Sequence, residues 1–131
     1  MTTAHEVMHT KLITVTKQTP ISESVRLLKK HRISGLPVVD DEFRLIGIIT
    51  EKDLLRVCCE ERGTFRVVGD LMSRNVRTVQ LNDPLENLCD CLMANDFRHV
   101  PILDGDKLVG LLCWADLAPT ILEIAEKILS E

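Results

Sequence analysis

Apolar positions along the 131-residue chain recur in two rhythms, one of period two and one of helical period, and together they predict an order of elements that occurs twice. Residues 12–16, Leu-Ile-Thr-Val-Thr, are short and β-branched, which suits a pleated surface and predicts a strand. Thr19-Pro20 then opens a stretch in which Ile21, Val25 and Leu28 recur at helical spacing, with Thr19 expected at the N-cap and Pro20 at the first helical position. Leu36-Pro37-Val38-Val39 and Leu45-Ile46-Gly47-Ile48-Ile49 are continuous apolar runs joined by the acidic turn Asp40-Asp41-Glu42, the pattern of a hairpin covered on both faces. A polar helix is expected from Thr50. The same order then returns. Asp83-Pro84-Leu85-Glu86 carries the signature of a capping box, and its helix continues through Leu88, Cys89, Leu92 and Met93. Asp104-Gly105-Asp106 marks a second hairpin turn, and a closing helix begins near Trp114 and extends through Ile121, Ile124, Ile128 and Leu129.

Residues 8 to 54 can be laid on residues 72 to 117 with a single one-residue gap. Met8 falls on Met72, Pro20 on Pro84, Leu28 on Leu92, Pro37 on Pro101 and Asp40 on Asp104; beyond the gap, Gly47, Asp53 and Leu54 meet Gly110, Asp116 and Leu117. Each copy is longer than a solenoid unit and there are only two, so a paired module is expected, divided at 1–62 and 63–131.

Composition removes several classes of function. The chain is 45% hydrophobic and 27% charged, an ordinary globular balance, and its net charge of −4 argues against a nucleic-acid partner. No apolar run reaches membrane-spanning length and the N-terminus lacks a signal-peptide layout, so no membrane is expected and a cytoplasmic location is. Cys58, Cys59, Cys89, Cys91 and Cys113 are odd in number and fall in helical or strand patterns, which predicts buried thiols in a reducing compartment and no metal site.

The chemistry concentrates in Gly47-Ile48-Ile49-Thr50-Glu51-Lys52-Asp53, where a strand is expected to end and a helix to begin. First-turn N–H groups lack intrahelical partners and lie at the positive end of the dipole, so such a junction can hold a phosphate. Thr50 can turn a hydroxyl to a phosphate oxygen and Asp53 can accept from a ribose diol. The same spacing also reads as a capping box, with Thr50 at the N-cap and Asp53 bonding back. The second copy, Gly110-Leu111-Leu112-Cys113-Trp114-Ala115-Asp116, keeps the glycine and the aspartate but places the poor cap Cys113 where Thr50 stands.

These features resemble a tandem pair of CBS domains, the Bateman module. The resemblance is carried by the element order, by Leu36-Pro37-Val38-Val39-Asp40 with Val100-Pro101-Ile102-Leu103-Asp104, and by Gly-x-x-Thr-x-x-Asp at 47–53 with its degenerate partner at 110–116. It implies an α/β (α+β) fold of two βαββα repeats packed with pseudo-twofold symmetry. It also implies a regulatory, non-catalytic module that binds an adenosine ligand, such as AMP, ADP, ATP, S-adenosylmethionine or NAD, in two clefts between the copies. No cofactor is required. The expected partners are that nucleotide, an unidentified target protein and a second copy of the chain, covering the surplus apolar surface of Leu117, Ile121, Ile124, Ile128 and Leu129. A ligand-free interaction module is the alternative.

By the same resemblance, basic residues ahead of the hairpin proline of one copy serve the aspartate of the other. Thr50, Asp53, Val76, Arg77, Phe97, Arg98 and His99 are thereby assigned to one cleft, with Arg98 and His99 on the phosphate and Phe97 on the adenine. Leu12, Ile13, Ile33, Ser34, Lys52, Cys113 and Asp116 are assigned to a second, weaker cleft, since Ser34 and Gly35 bring no charge there. One rival motif, His5-Glu6-Val7-Met8-His9, matches the zinc-protease pattern but lies at the start of the chain with no third ligand, and its repeat counterpart loses both histidines.

Overall fold

The computed structural model describes Met8 and residues 11–60, 64–94 and 98–130. They form α1 (Ile21–His31), β1 (Gly35–Val39), β2 (Leu45–Thr50), α2 (Glu51–Cys59), α3 (Val68–Leu71), β3 (Val79–Gln80), α4 (Leu85–Ala94), β4 (His99–Asp104), β5 (Lys107–Cys113) and α5 (Trp114–Leu129). The chain divides into two compact units. One comprises Ile13–Val76 with Asp106–Leu108; the other comprises Arg77–Gly105 and Val109–Glu131 with the N-terminal stretch up to Leu12.

In the first unit β1 and β2 pair antiparallel, Leu36 opposite Ile49 and Val38 opposite Gly47, with all five residues of β1 buried. The Asp40 carboxylate holds the turn by accepting from the N–H groups of Glu42 and Arg44, each at 2.9 Å. The strand expected over 12–16 is reduced to a parallel bridge between Val15 and Val38. It ends there because Thr16 enters a turn, its N–H bonded to the Thr19 hydroxyl at 3.0 Å. That hydroxyl is therefore not the cap of α1. Pro20 takes the N-cap position instead, its carbonyl accepting from Glu23 and Ser24, and the helix starts one residue later than its sequence signal. Ile21, Ser24 and Leu28 form the buried face, and Ser24 satisfies its fully buried hydroxyl on the Ile21 carbonyl at 2.6 Å.

The segment after α2 completes this unit. Ile21 N–H bonds Arg66 O, Val68 N–H bonds Thr19 O, and Gly69 N–H bonds Lys17 O, so the linker is clasped to the loop ahead of α1. The Asp70 carboxylate accepts from the N–H groups of Arg66 and Val67 and starts α3, which delivers Val68, Leu71 and Met72 to the core of Val15, Ile21, Leu28, Leu36, Val38 and Ile49. Ser73 then pairs with Ile48 in both directions, at 2.8 and 2.9 Å, along the free side of β2.

The second unit repeats the plan with a three-stranded sheet ordered β3-β4-β5, β3 parallel to β4 with Val79 opposite Ile102. The Asp83 carboxylate accepts from Gln80 N–H at 2.9 Å, closing the turn ahead of α4 as Thr19 does ahead of α1. Leu88, Cys91, Val100, Ile102, Leu112 and Leu117 fill the core, with Met8 and Ile121 against it. Leu117 and Ile121, counted in the sequence as surplus surface, are thus used by this core; Leu122, Ile128 and Leu129 remain exposed.

The two glycines of the repeat are explained by these contacts. A Cβ on Gly47 would stand 2.7 Å from Ser73 O and 3.0 Å from Met72 Sδ, while one on Gly110 would overlap the Met8 side chain, 2.8 Å from its Cγ. The obstacle at Gly47 is backbone; that at Gly110 is a flexible thioether. Gly47→Ala is expected to lower the unfolding free energy by about 1–3 kcal/mol, and Gly110→Ala by less, as read from urea midpoints; an equal or larger loss at Gly110 contradicts this account. The bonds that Asp70 accepts from the backbone N–H groups of Arg66 and then Val67 hold its carboxyl below the ordinary carboxylate range. A depressed folded value makes this contribution present above the unfolded pKa and lost as pH falls through the folded one. Asp70→Asn is therefore expected to flatten the acid limb of the stability curve below roughly pH 4, measured by urea unfolding at stepped pH.

Candidate functional site

Thr50 ends β2 in extended conformation, φ −124 and ψ 169, and stands at the N-cap of α2. Its N–H donates to Asp53 Oδ2 at 2.8 Å, its hydroxyl donates to the same oxygen at 3.1 Å, and its Oγ1 accepts from Asp53 N–H at 3.4 Å. The capping box is thus complete, and it uses one carboxylate oxygen; Oδ1 takes no part. Glu51 N–H is also occupied, by Ser34 O at 3.0 Å. Of the four donors an open helix start leaves over, only that of Lys52 lacks a protein acceptor among the described residues. The anion site expected from the sequence is accordingly narrower than a bare helix N-terminus: one N–H, one carboxylate oxygen and the exposed Lys52 side chain beside them.

The second unit builds the corresponding junction with less. Cys113, half-buried in β5, occupies the N-cap of α5 without a side-chain cap bond. Trp114 N–H goes to Arg98 O at 2.9 Å, as Glu51 N–H goes to Ser34 O. In both units the main chain just ahead of the hairpin is tied to the first residue of the closing helix. Such a carbonyl role leaves no trace in residue type, and the sequence did not disclose it. At Arg98 the bond fixes the backbone while the side chain stays exposed; His99, one residue on, is 9% exposed as β4 begins.

The remaining assigned residues fall as follows. Thr50 and Asp53 are brought together; Ile13 and Ile33 are half-buried against the first unit's core, with Ser34 and Val76 half-buried in the same unit. Leu12 is half-buried and Arg77 exposed, both in the second unit. Phe97 lies outside the described residues, and Asp116 is placed in α5 without its side chain being described. His5, Glu6 and His9 also lie outside. Among the described residues no group of His, Cys, Asp or Glu is arranged for a metal ion, and no helix is long and apolar enough to cross a membrane.

All five cysteines are free, but the expectation that they are buried holds only in part. Cys91 is buried, and desolvation pushes its thiol up despite the opposing charge of Arg77. Cys58 and Cys59 are exposed, because α2 buries no residue at all.

Comparison with known proteins bears on this arrangement. The CBS domain family matches residues 4–60 and 68–123. The CBS domain-containing protein YhcV of Bacillus subtilis is 30% identical, over 90% of this chain and 84% of its own. Among solved structures, CBSX2 in complex with AMP superposes with a TM-score of 0.87 at 29% identity, covering 95% of this chain and 99% of that one. A CBS domain pair in complex with 5′-methylthioadenosine and S-adenosylmethionine superposes with a TM-score of 0.83 at 25% identity, covering 92% and 96%. Other relatives are longer: the chain spans 40% of an uncharacterized Methanocaldococcus jannaschii protein and 22% of that organism's inosine-5′-monophosphate dehydrogenase. With both repeats matched and the helix-hairpin-helix order present twice, the chain belongs to the CBS domain family as a tandem pair.

Proposed function

We propose that the chain is a regulatory module that binds an adenosine nucleotide without transforming it, and that passes occupancy to another protein as a homodimer in the cytoplasm. The observation that carries this reading is the likeness, over nearly the whole chain, to a CBS pair whose crystal structure contains AMP. The local chemistry agrees. Asp53 has an oxygen outside the capping box, suited to accept from a ribose diol, and Arg98 has an exposed guanidinium suited to a phosphate. Thr50, Asp53, Val76, Arg77, Phe97, Arg98 and His99 form the better site in this proposal. Leu12, Ile13, Ile33, Ser34, Lys52, Cys113 and Asp116 form the weaker one. Exposed Leu55, Val57, Leu122, Ile128 and Leu129 supply apolar surface for a second copy, and five free thiols suit a reducing compartment.

Calorimetry with AMP, ADP, ATP, NAD and S-adenosylmethionine tests the reading. At least one is expected to bind, and Arg98→Ala to weaken it by ten- to a hundredfold, the range of a lost charged hydrogen bond of about 1.5–3 kcal/mol. Asp53→Ala is expected both to weaken the tighter site and to lower stability by about 1 kcal/mol through loss of the cap, whereas Asp116→Ala, having no Thr partner, affects the weaker site. Binding of none of the five, with Asp53→Ala affecting stability alone, favours the ligand-free interaction module. ATP incubated with the protein is expected to stay intact, since among the described residues no nucleophile and general base are paired near Asp53; steady release of ADP or AMP from a homogeneous preparation would refute that.

A further inference from the structure

Two adjacent thiols stand exposed at the end of α2, where neither packing nor helix propensity accounts for them. Cys58 and Cys59 are the last two residues of the helix, and neither is in a disulfide. Cysteine is ordinarily among the most buried residue types and behaves there as a small apolar side chain. That use is closed to this pair, because α2 buries no residue. As helix formers they are no better placed, since cysteine ranks well below alanine and two in a row weaken a last turn. Carrying the repeat offset on from Leu54 and Leu117 lays Cys58 on Ile121 and Cys59 on Leu122. The second unit thus has aliphatic side chains at these positions, Ile121 packed against its core, where the first has sulfur.

Neighbouring residues on a helix point about 100° apart around its axis, and their Cα atoms lie about 3.8 Å apart across a trans peptide. A disulfide usually spans roughly 4.4–6.8 Å between Cα atoms, so direct closure between Cys58 and Cys59 is disfavoured. An atom inserted between the sulfurs lengthens the ring and relieves that restriction. The helix end can supply the small adjustment this needs. Glu60 is already extended, φ −109 and ψ 174, and its N–H donates to Arg56 O at 2.8 Å to close the last turn. The Arg56 side chain pairs with Glu60 at 3.1 Å and lies over the Phe65 ring at 4.7 Å, so the chain on either side of the thiols is held.

We propose that Cys58 and Cys59 form a dithiol site that chelates a thiophilic centre of low coordination number, the chemistry shared by copper(I) and trivalent arsenicals. Among the described residues no three of His, Cys, Asp or Glu are grouped to hold a metal, so the two sulfurs are the donors. A structural zinc site takes four ligands, whereas soft thiolates select copper(I) and centres like it over hard cations. With copper(I), each thiol loses its proton and one copper–sulfur bond forms to each sulfur. With an arsenical R–As=O, two arsenic–sulfur bonds form, the As=O bond breaks, and its oxygen leaves as water with the two thiol protons. Neither step changes an oxidation state, so no oxidant or reductant is required. The inference does not depend on the nucleotide reading above.

The test uses the full chain, reduced and cleared of small thiols, with phenylarsine oxide in one arm and copper(I) buffered by bicinchoninate in the other. Intact mass is expected to show one phenylarsenic group per chain, carried on the tryptic peptide Val57–Arg62. The adduct is expected to resist mercaptoethanol and to release with 2,3-dimercaptopropanol, the behaviour of two sulfurs on one centre. Cys58→Ser and Cys59→Ser are each expected to weaken binding at least tenfold. Both positions are exposed, and thermal midpoints show that the variants fold. Uptake in both arms supports the shared chemistry, and uptake in one arm alone supports the site and assigns it to that centre. The proposal is overturned if neither probe binds, or if the double serine variant keeps the adduct on Cys89, Cys91 or Cys113. It is also overturned if either single serine variant binds as tightly as the wild type, or if sedimentation shows the probe bridging two copies.

Discussion

The pairing of Ser73 with Ile48, together with the seating of Met72 on Gly47, holds the first unit closed. Without it β2 would present a row of unpaired backbone groups on one side, the exposed edge that sheets avoid. It also brings Val68, Leu71 and Met72 into a core that the first repeat's own residues leave incomplete. Gly47 is required because the pairing brings Ser73 O to within 2.7 Å of where a side chain would begin. The short helix α3, the clasp of Arg66 and Gly69 on the loop ahead of α1, and the Asp70 bonds all serve to deliver those residues at the right height.

Most of this architecture is legible in the amino-acid order, since the apolar runs of β1, β2, β4 and β5 and the stripes of α1, α4 and α5 are long and periodic. The ends of elements were harder to read. Thr19-Pro20 has the composition of a cap and first helical residue, but the Thr19 hydroxyl is drawn into a turn with Thr16, and only the tertiary hydrogen bonds decide between those uses. The matching of Met8 with Met72 and Gly47 with Gly110 was visible as repetition, yet the contacts join Met72 to Gly47 and Met8 to Gly110. Alignment shows which residues are equivalent and carries no information about which copy each one packs on.

At the Thr50 junction the two sequence readings, cap and ligand site, do not exclude each other. The cap consumes Oδ2 and the threonine hydroxyl, leaving Oδ1 and the Lys52 N–H for anything else. A ligand that takes only those leaves α2 unchanged. One that takes the threonine hydroxyl must compete with a helix-starting bond, so its binding is linked to the order of the first turn. With no buried residue of its own, α2 has little packing to resist such a change. The second junction, with a thiol at the N-cap, offers no comparable linkage.

The placement of Met8 against Gly110 also has a consequence for how the chain is made. During synthesis the first unit has its full core once residue 73 has emerged, and it can fold while the rest of the chain is still being added. Met8 leaves the ribosome earlier than almost any other core residue, yet the glycine that receives it is more than a hundred positions downstream. Met8 must therefore wait, unplaced, until Gly110 has been made about a hundred residues later, and it reaches its native contact only as the second unit assembles.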